Sequence, residues 1–288
     1  MSGKEDATMS IDRVSRPIQI LAYGAASLIS LAFLYPYWWM LVSAFRSTRA
    51  IMSAPLRLLP ETFDLSIFSE IARIGGVPLE RYMINSLTIT TLSTVVGVVV
   101  TALGAYALTR KPKLPGFTFL RYGFLVTIMY PYMLLVIPVY LVMFKLGLLG
   151  SYAGIILFLS LGPIQFFLFE QFFRKIPGEV IEAAVIDGAS EAQILFKVVL
   201  PMAAPITATV ALITFLLNWA QWFPVMVISK TPDTYTLPVA LLAMNTELGA
   251  NFQGIMALAV ITTLPVAVIF IFAQKRVMEG MAAGAVKG

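Results

Sequence analysis

The side chains able to do chemistry are few and unevenly placed. The chain has no cysteine and no histidine, so thiol chemistry is excluded and a zinc or haem site is not expected. Its one cluster of carboxylates, Glu179, Glu182, Asp187 and Glu191, lies in the stretch 177–201 between two long apolar runs. Four carboxylates on one short helix do not converge on a pocket, and no histidine is available as a general base. What the stretch offers is a surface. Pro177-Gly178 breaks from the preceding run, and Glu179 and Glu182 fall in the first turn of a new helix, where negative charge suits the helix dipole. Ala183, Ala184 and Gly188 are small, and Ala184 and Gly188 are four apart on one face. A second protein's surface can approach the backbone closely there. Leu200-Pro201 closes the stretch and opens the next apolar run. A rod joined in this way to two apolar runs transmits an external push to both. The alternative for the same residues is an ordinary interfacial helix rich in alanine.

The elements that must position this rod follow from composition. With 288 residues, 59% of them hydrophobic and 12% charged, and a mean hydropathy of +0.87, the expected class is an all-α integral membrane protein. A hydrocarbon core about 30 Å thick takes roughly 20 apolar residues per helix. Six gaps between charged residues are long enough: 17–45, 82–109, 122–144, 146–169, 198–229 and 248–274. Backbone groups in lipid must be satisfied within their own segment, so six transmembrane helices are expected. Lys and Arg orient them, because cytoplasmic loops retain an excess. With the N-terminus inside, 13 of the 20 fall on the cytoplasmic side. The other seven are Arg46, Arg49, Arg57, Arg73, Arg81, Lys145 and Lys230. The expectation is N-in/C-in, which puts 174–201 in the cytoplasm. The net charge of +5 reflects this topology and gives no reason to expect nucleic acid. Segment 17–45 is read as a retained span, too long for the apolar core of a signal peptide.

Three regions follow: 1–80, an N-terminal tail, the first span and an external loop; 81–277, a compact five-helix core; and 278–288, a cytoplasmic tail. The external segment 46–81 carries Pro55, Pro60, Gly75-Gly76 and Pro78 and reads as turns and short helices. Span 2 contains the small residues Gly97, Thr101, Gly104 and Ala105, which allow close helix approach. Pro131, Pro138, Pro163, Pro224 and Pro265 fall within or between later spans. Kinked helices suit a pathway that opens alternately to two sides, although proline is also commoner in membrane helices generally. No internal repeat is visible.

A second set of residues sits within the spans. Asn218, Trp219, Gln221 and Trp222 lie in span 5, and Tyr130, Tyr132, Gln165 and Asn245 lie elsewhere. Amides beside aromatic faces suit the hydroxyls and C–H faces of a sugar. The same side chains also serve as interfacial anchors and helix–helix glue, and both uses stay open. No charge falls in the middle of any span. Glu170, near the inner end of span 4, has Arg174 one turn later as its expected partner. An uncharged route fits a neutral solute better than an ion or phosphate.

The spacing Glu182-Ala183-Ala184, Gly188, then Val198-x-Leu200-Pro201 resembles the EAA loop of binding-protein-dependent ABC importer permeases. Asn85-Ser86-Leu87, Gly104-Ala105-Tyr106-Ala107, Asp187-Gly188-Ala189-Ser190, Tyr235-Thr236-Leu237-Pro238 and the closing Gly284–Gly288 look like the sugar-type members, maltose-transporter inner permeases in particular. The likeness covers roughly 81–288. It departs at Val198, where the loop usually has Ile, and at Trp219-Ala220, where many relatives have Trp-Asn. The second departure puts transfer of sugar contacts in doubt. The resemblance implies a type I ABC importer permease fold, with a cytoplasmic coupling helix between spans 4 and 5, in a prokaryotic cytoplasmic membrane. It implies four kinds of partner: two ABC ATPase subunits, a homologous second permease, an extracytoplasmic solute-binding protein and a sugar. On that reading Glu182, Ala183, Ala184, Asp187, Gly188, Leu200 and Pro201 couple to the ATPase, Glu182 by charge and Ala183, Ala184 and Gly188 as a close-packed seat. The chain has no Gly-x-x-x-x-Gly-Lys-Ser/Thr loop. No cofactor is therefore expected on it, and ATP and Mg belong to the partner ATPases. The external stretch 230–252 is either a contact for the binding protein or a solvated connector.

Two other classes compete. An intramembrane transferase needs converging charged groups at an interface, which the carboxylate helix does not supply. A secondary carrier or channel normally shows ionisable residues within its spans, and none is seen here.

Overall fold

The computed structural model describes residues 16–61, 63–110, 115–130, 132–247 and 251–285. The side chains of Leu125, Ile128, Tyr132, 245–247 and 275–285 fall outside that description. Two compact units are present: Met1–Phe68 with Ala250–Val260, and Ser69–Gly249 with Ile261–Gly288.

In the first unit, helix α1 (Arg16–Ser43) is apolar throughout and almost wholly exposed, as a helix immersed in lipid is. Its tryptophans secure the chain that follows. Trp38 Nε1 donates to the Leu58 carbonyl at 2.9 Å, and Trp39 Nε1 donates to that of Pro55. Helix α2 (Thr48–Ser53) is capped by the Ser47 hydroxyl. Arg46, 1% exposed, donates Nη2 to the carbonyls of Ala50 (2.7 Å) and Ala54 (2.9 Å) and so closes that helix. Asp64 opens the short helix α3 (Ser66–Glu70) by accepting from the Ser66 amide at 2.9 Å and its hydroxyl at 2.6 Å. The expected short helices in 46–81 are thus present. A small antiparallel hairpin, absent from that expectation, belongs to the second unit: β1 (Arg73–Ile74) and β2 (Val77–Pro78), linked by Gly75-Gly76.

In the second unit α4 (Leu79–Arg110) is the central helix, and its buried residues run along its length. Its start is pinned by side-chain hydrogen bonds. The Asn85 amide donates to the carbonyls of Asp233 and Tyr235, both at 2.8 Å, and its oxygen accepts from the Tyr152 hydroxyl at 2.7 Å. Ser86 Oγ accepts from the Leu237 amide at 2.7 Å. Two motifs far apart in sequence, Asn85-Ser86 and Tyr235–Pro238, therefore meet. Midway along α4, Gly97 allows backbone contact: a Cβ there would lie 2.2 Å from the Ser160 carbonyl oxygen. Without a hydrophobic drive between helices in lipid, such close packing supplies the attraction.

Around α4 stand α5 (Phe117–Met129), α6 (Tyr132–Lys145), α7 (Tyr152–Ser160) and α8 (Pro163–Arg174). Then follow α9 (Gly178–Ile186), α10 (Glu191–Gln193), a π-helical segment Ile194–Val199, α11 (Leu200–Met202), α12 (Ala204–Trp219) and α13 (Phe223–Ile228). The series closes with a 3₁₀ turn at Pro232–Thr234, α14 (Leu237–Glu247) and α15 (Phe252–Ala285).

The expected spans meet this architecture unevenly. Among the described residues, three stretches are long and apolar enough to cross a membrane alone: Arg16–Ser43, Leu79–Arg110 and Phe252–Gln274. Two bent pairs raise the count to five: α7 with α8, at 44°, and Glu191–Met202 with α12, at 73°. The segment expected as span 3, 122–144, is divided between α5 and α6, with Tyr130 in extended conformation at the break; Pro131 lies outside the described residues. Pro163, Pro205 and Pro224 occupy helix starts, where no amide is needed, whereas Pro138 and Pro265 lie within helices.

Within the stretch 230–252, the described helix α14 (Leu237–Glu247) packs into the core where a solvated connector was one expectation. Leu237, Val239, Ala240 and Met244 are buried. Val239 packs in a cluster with Ile89, Ile155, Leu159, Val225 and Ile228.

Candidate functional site

Residues 175–203 form a compact device between α8 and α12. Lys175 closes α8, and Pro177 precedes α9, with Glu179 in its first turn. The far end of α9 is a Schellman turn. The Gly188 amide donates to the Val185 carbonyl and the Ala189 amide to that of Ala184, both at 3.0 Å. Gly188 has φ +78°, a left-handed conformation that costs a residue with a Cβ about 1–2 kcal/mol. Ser190 then caps α10 in a reciprocal box. Its amide donates to Gln193 Oε1 at 2.8 Å, and its hydroxyl accepts from the Gln193 amide at 3.4 Å. Two well-made ends separated by one tight turn make the loop a rigid elbow.

One side of the elbow is anchored. Ile181, Ile194, Leu195 and Val199 are buried in a cluster with Ala105, Tyr106, Leu108, Phe169 and Phe173, with Ala184, Ala189 and Leu200 packed against it. The Glu191 carboxylate reaches across to α4, accepting from Tyr106 Oη at 3.0 Å and from Arg110 Nη2 at 3.2 Å. Nearby, the buried carboxylate of Glu170 is held by Arg174 of its own helix (2.9 Å) and by Arg121 of α5 (2.8 Å). Arg174 was the expected partner; Arg121 is an addition.

The other side is open. Glu182, Ala183, Asp187 and Gly188 are exposed, as is Pro201. Three apolar residues that sequence reasoning passed over join them: Val185, Ile186, which is 85% exposed, and Phe196. Their signal was present as apolar residues on the polar side of a short amphipathic helix. Of the residues expected as a close-packed seat, Ala183 and Gly188 are exposed and Ala184 packs against the core, as Leu200 does; Gly188 ends the helix.

The second expected set is partly brought together. A cavity of 260 Å³ is lined by Tyr130, Gln165, Thr214, Asn218 and Gln221, with apolar neighbours such as Leu217; among the described residues no charged side chain lines it. Asn218 Nδ2 donates to Ser93 Oγ at 3.0 Å. Gln165 Oε1 and Thr214 Oγ1 are buried without a protein partner. Trp219 does not line this cavity. It is buried, stacks on Phe215, and donates Nε1 to the Thr262 carbonyl at 3.1 Å, so it joins α12 to α15. Trp222 packs edge-on against Phe223, away from the cavity lining. The side chains of Tyr132 and Asn245 lie outside the described residues.

An all-helical core on one central helix, with a rigid elbow between two apolar helices, is the architecture of a transport permease. The family described as the binding-protein-dependent transport system inner membrane component matches residues 97–282, and the chain belongs to it. Among its relatives is the arabinooligosaccharides transport system permease protein AraQ of Halalkalibacterium halodurans, 30% identical over 93% of this chain and 96% of that one. Another is the trehalose transport system permease protein SugB of Mycobacterium tuberculosis, 31% identical over 88% and 93%. A crystal structure of a bacterial ABC transporter involved in importing the acidic polysaccharide alginate superposes with a TM-score of 0.74 at 26% identity, covering 91% of this chain and 98% of that one. The chain is accordingly a permease subunit of an ABC transporter, an inner-membrane component and not an enzyme.

Proposed function

We propose that this chain forms, with a second permease, the pathway by which an ATP-driven importer takes up a neutral sugar, and that the elbow at 177–201 receives the ATPase. Six spans with both termini in the cytoplasm complete this reading: α5 and α6 together make the third, and the Lys and Arg distribution sets the orientation. An extracytoplasmic binding protein delivers the solute, and the partner ATPases use ATP and Mg. ATP binding closes the ATPase pair, the elbow follows, and the helices exchange inward- for outward-facing states, a two-state equilibrium biased by differential binding.

The observation that carries this proposal is the two-sidedness of α9. Ile181 is fixed in the core while Ile186, Val185 and Ala183 stand exposed beside Glu182. A rigid, capped helix that displays apolar side chains is a surface made to be covered. The cavity supports the choice of solute. Burying the Gln165 and Thr214 oxygens without a partner is costly, and sugar hydroxyls are suitable donors. The uncharged lining favours a neutral carbohydrate over an anion, and AraQ and SugB are named for carbohydrates.

Uptake by the assembled complex in liposomes tests the reading. Glu182→Lys and Gly188→Trp are expected to insert normally and to abolish ATP-dependent uptake. Normal uptake by both variants would count against the docking role.

A further inference from the structure

Between the start of α9 and the end of α4 the packing is incomplete. A cavity of 270 Å³ lies there, lined by Tyr106, Thr109, Arg110, Arg174, Gly178 and Ile181 among others. Ile181 of α9 still packs in one cluster with Tyr106 and Leu108 of α4, so the cavity lies beside an apolar contact. Within the elbow, Ile194–Val199 is π-helical, a rare wide turn that is frequent at functional sites. The apolar cluster holds the elbow to α4 on one side, and a polar bridge adds to that hold. The polar bridge there is the Glu191 carboxylate, with one oxygen on the Tyr106 hydroxyl and the other on the Arg110 guanidinium. Its backbone is fixed at the start of α10 by the Ser190–Gln193 box.

We propose that Glu191 is a positioning residue for transport: it clamps the elbow to the last turn of α4, so that displacement of α9 moves α4 instead of being absorbed in the π-helical turn. This rests on the elbow receiving the ATPase. Half of the Glu191 side chain is exposed, and an ion pair so placed contributes little to folding. Its loss therefore separates coupling from stability. Tyr106 and Arg110 give the carboxylate a defined direction that a single flexible contact lacks.

The test uses the complete transporter, with its partner permease, ATPases and solute receptor, in liposomes. Glu191→Gln should retain the ATPase through purification and keep hydrolysing ATP, while solute taken up per ATP falls about fivefold or more, the range of an ordinary coupling free energy. The chain has no native cysteine, so Arg110→Cys with Glu191→Cys gives one addressable pair. As free thiols the pair should be uncoupled in the same way, and a short bifunctional thiol reagent should restore uptake per ATP. Unchanged uptake per ATP in Glu191→Gln, or no restoration on bridging, overturns the clamp. Loss of the ATPase from Glu191→Gln alone also overturns it, because Glu191 would then be part of the docking surface. Failure of the unaltered chain to hold the ATPase overturns the docking reading and the clamp with it.

Discussion

Gly188 shows how one residue sets the geometry of the elbow. Nothing lies within 4 Å of where its Cβ would be, so the demand for glycine comes from φ +78° alone. Gly188→Ala should lower stability by about 1–2 kcal/mol, and Gly188→Asn by less, because Asn tolerates this conformation. Thermal unfolding of the purified permease in detergent measures both. Equal losses for the two would mean that contact, not backbone conformation, selects glycine. Asp64 provides a second case at this scale. Hydrogen bonds from the Ser66 hydroxyl, the Ser66 amide and Gln253 hold its carboxyl below the ordinary carboxylate value. A depressed folded value contributes stability that is complete above the unfolded pKa, near about 3.9, and is lost as pH falls through the folded value. Asp64→Asn should therefore lose stability near neutral pH and show less change between about pH 4 and pH 2. Parallel acid profiles for the variant and the unaltered chain would contradict this.

The elements of the fold depend on how near α4 its neighbours come. At Gly97 the Ser160 carbonyl leaves no room for a methyl group. Gly97→Val should force α4 away from the α7–α8 break and lower the yield of folded permease, while Gly104→Ala, with only a Phe166 ring carbon at 4.0 Å, should be tolerated. Size-exclusion profiles in detergent distinguish these outcomes. Gly97 was legible in the sequence as part of a small-residue run, and the elbow was legible because a polar helix between apolar runs is conspicuous. Other features were not. Hydropathy cannot see that α5 and α6 are separate helices, since both sides of the break are apolar. It also cannot tell that Leu237–Met244 is core, because polar Asp233 and Asn245 flank a helix whose burial depends on α4, far away in sequence. Trp219 looked like a ring for a sugar, yet its indole N–H joins α12 to α15. The contacts of Glu191 with Tyr106 and Arg110 cross more than eighty residues, a pairing that no local spacing rule detects.

At the scale of the whole molecule, labour is divided between this chain and its proposed partners. The second unit holds the elbow and a cavity that, among the described residues, no charged side chain lines; on the proposed reading, work delivered at the one changes access to the other. On that reading, the elbow lies against the ATPase. Ile186 marks the point, being the most exposed apolar side chain on α9, and the absence of native cysteine lets Ile186→Cys carry a single photoactivatable thiol reagent. After illumination of the assembled complex in liposomes, the expected product is a covalent adduct between this chain and an ATPase subunit. Labelling confined to lipid, as for an interfacial helix, or to the extracytoplasmic receptor, with the ATPase unmodified, would contradict it.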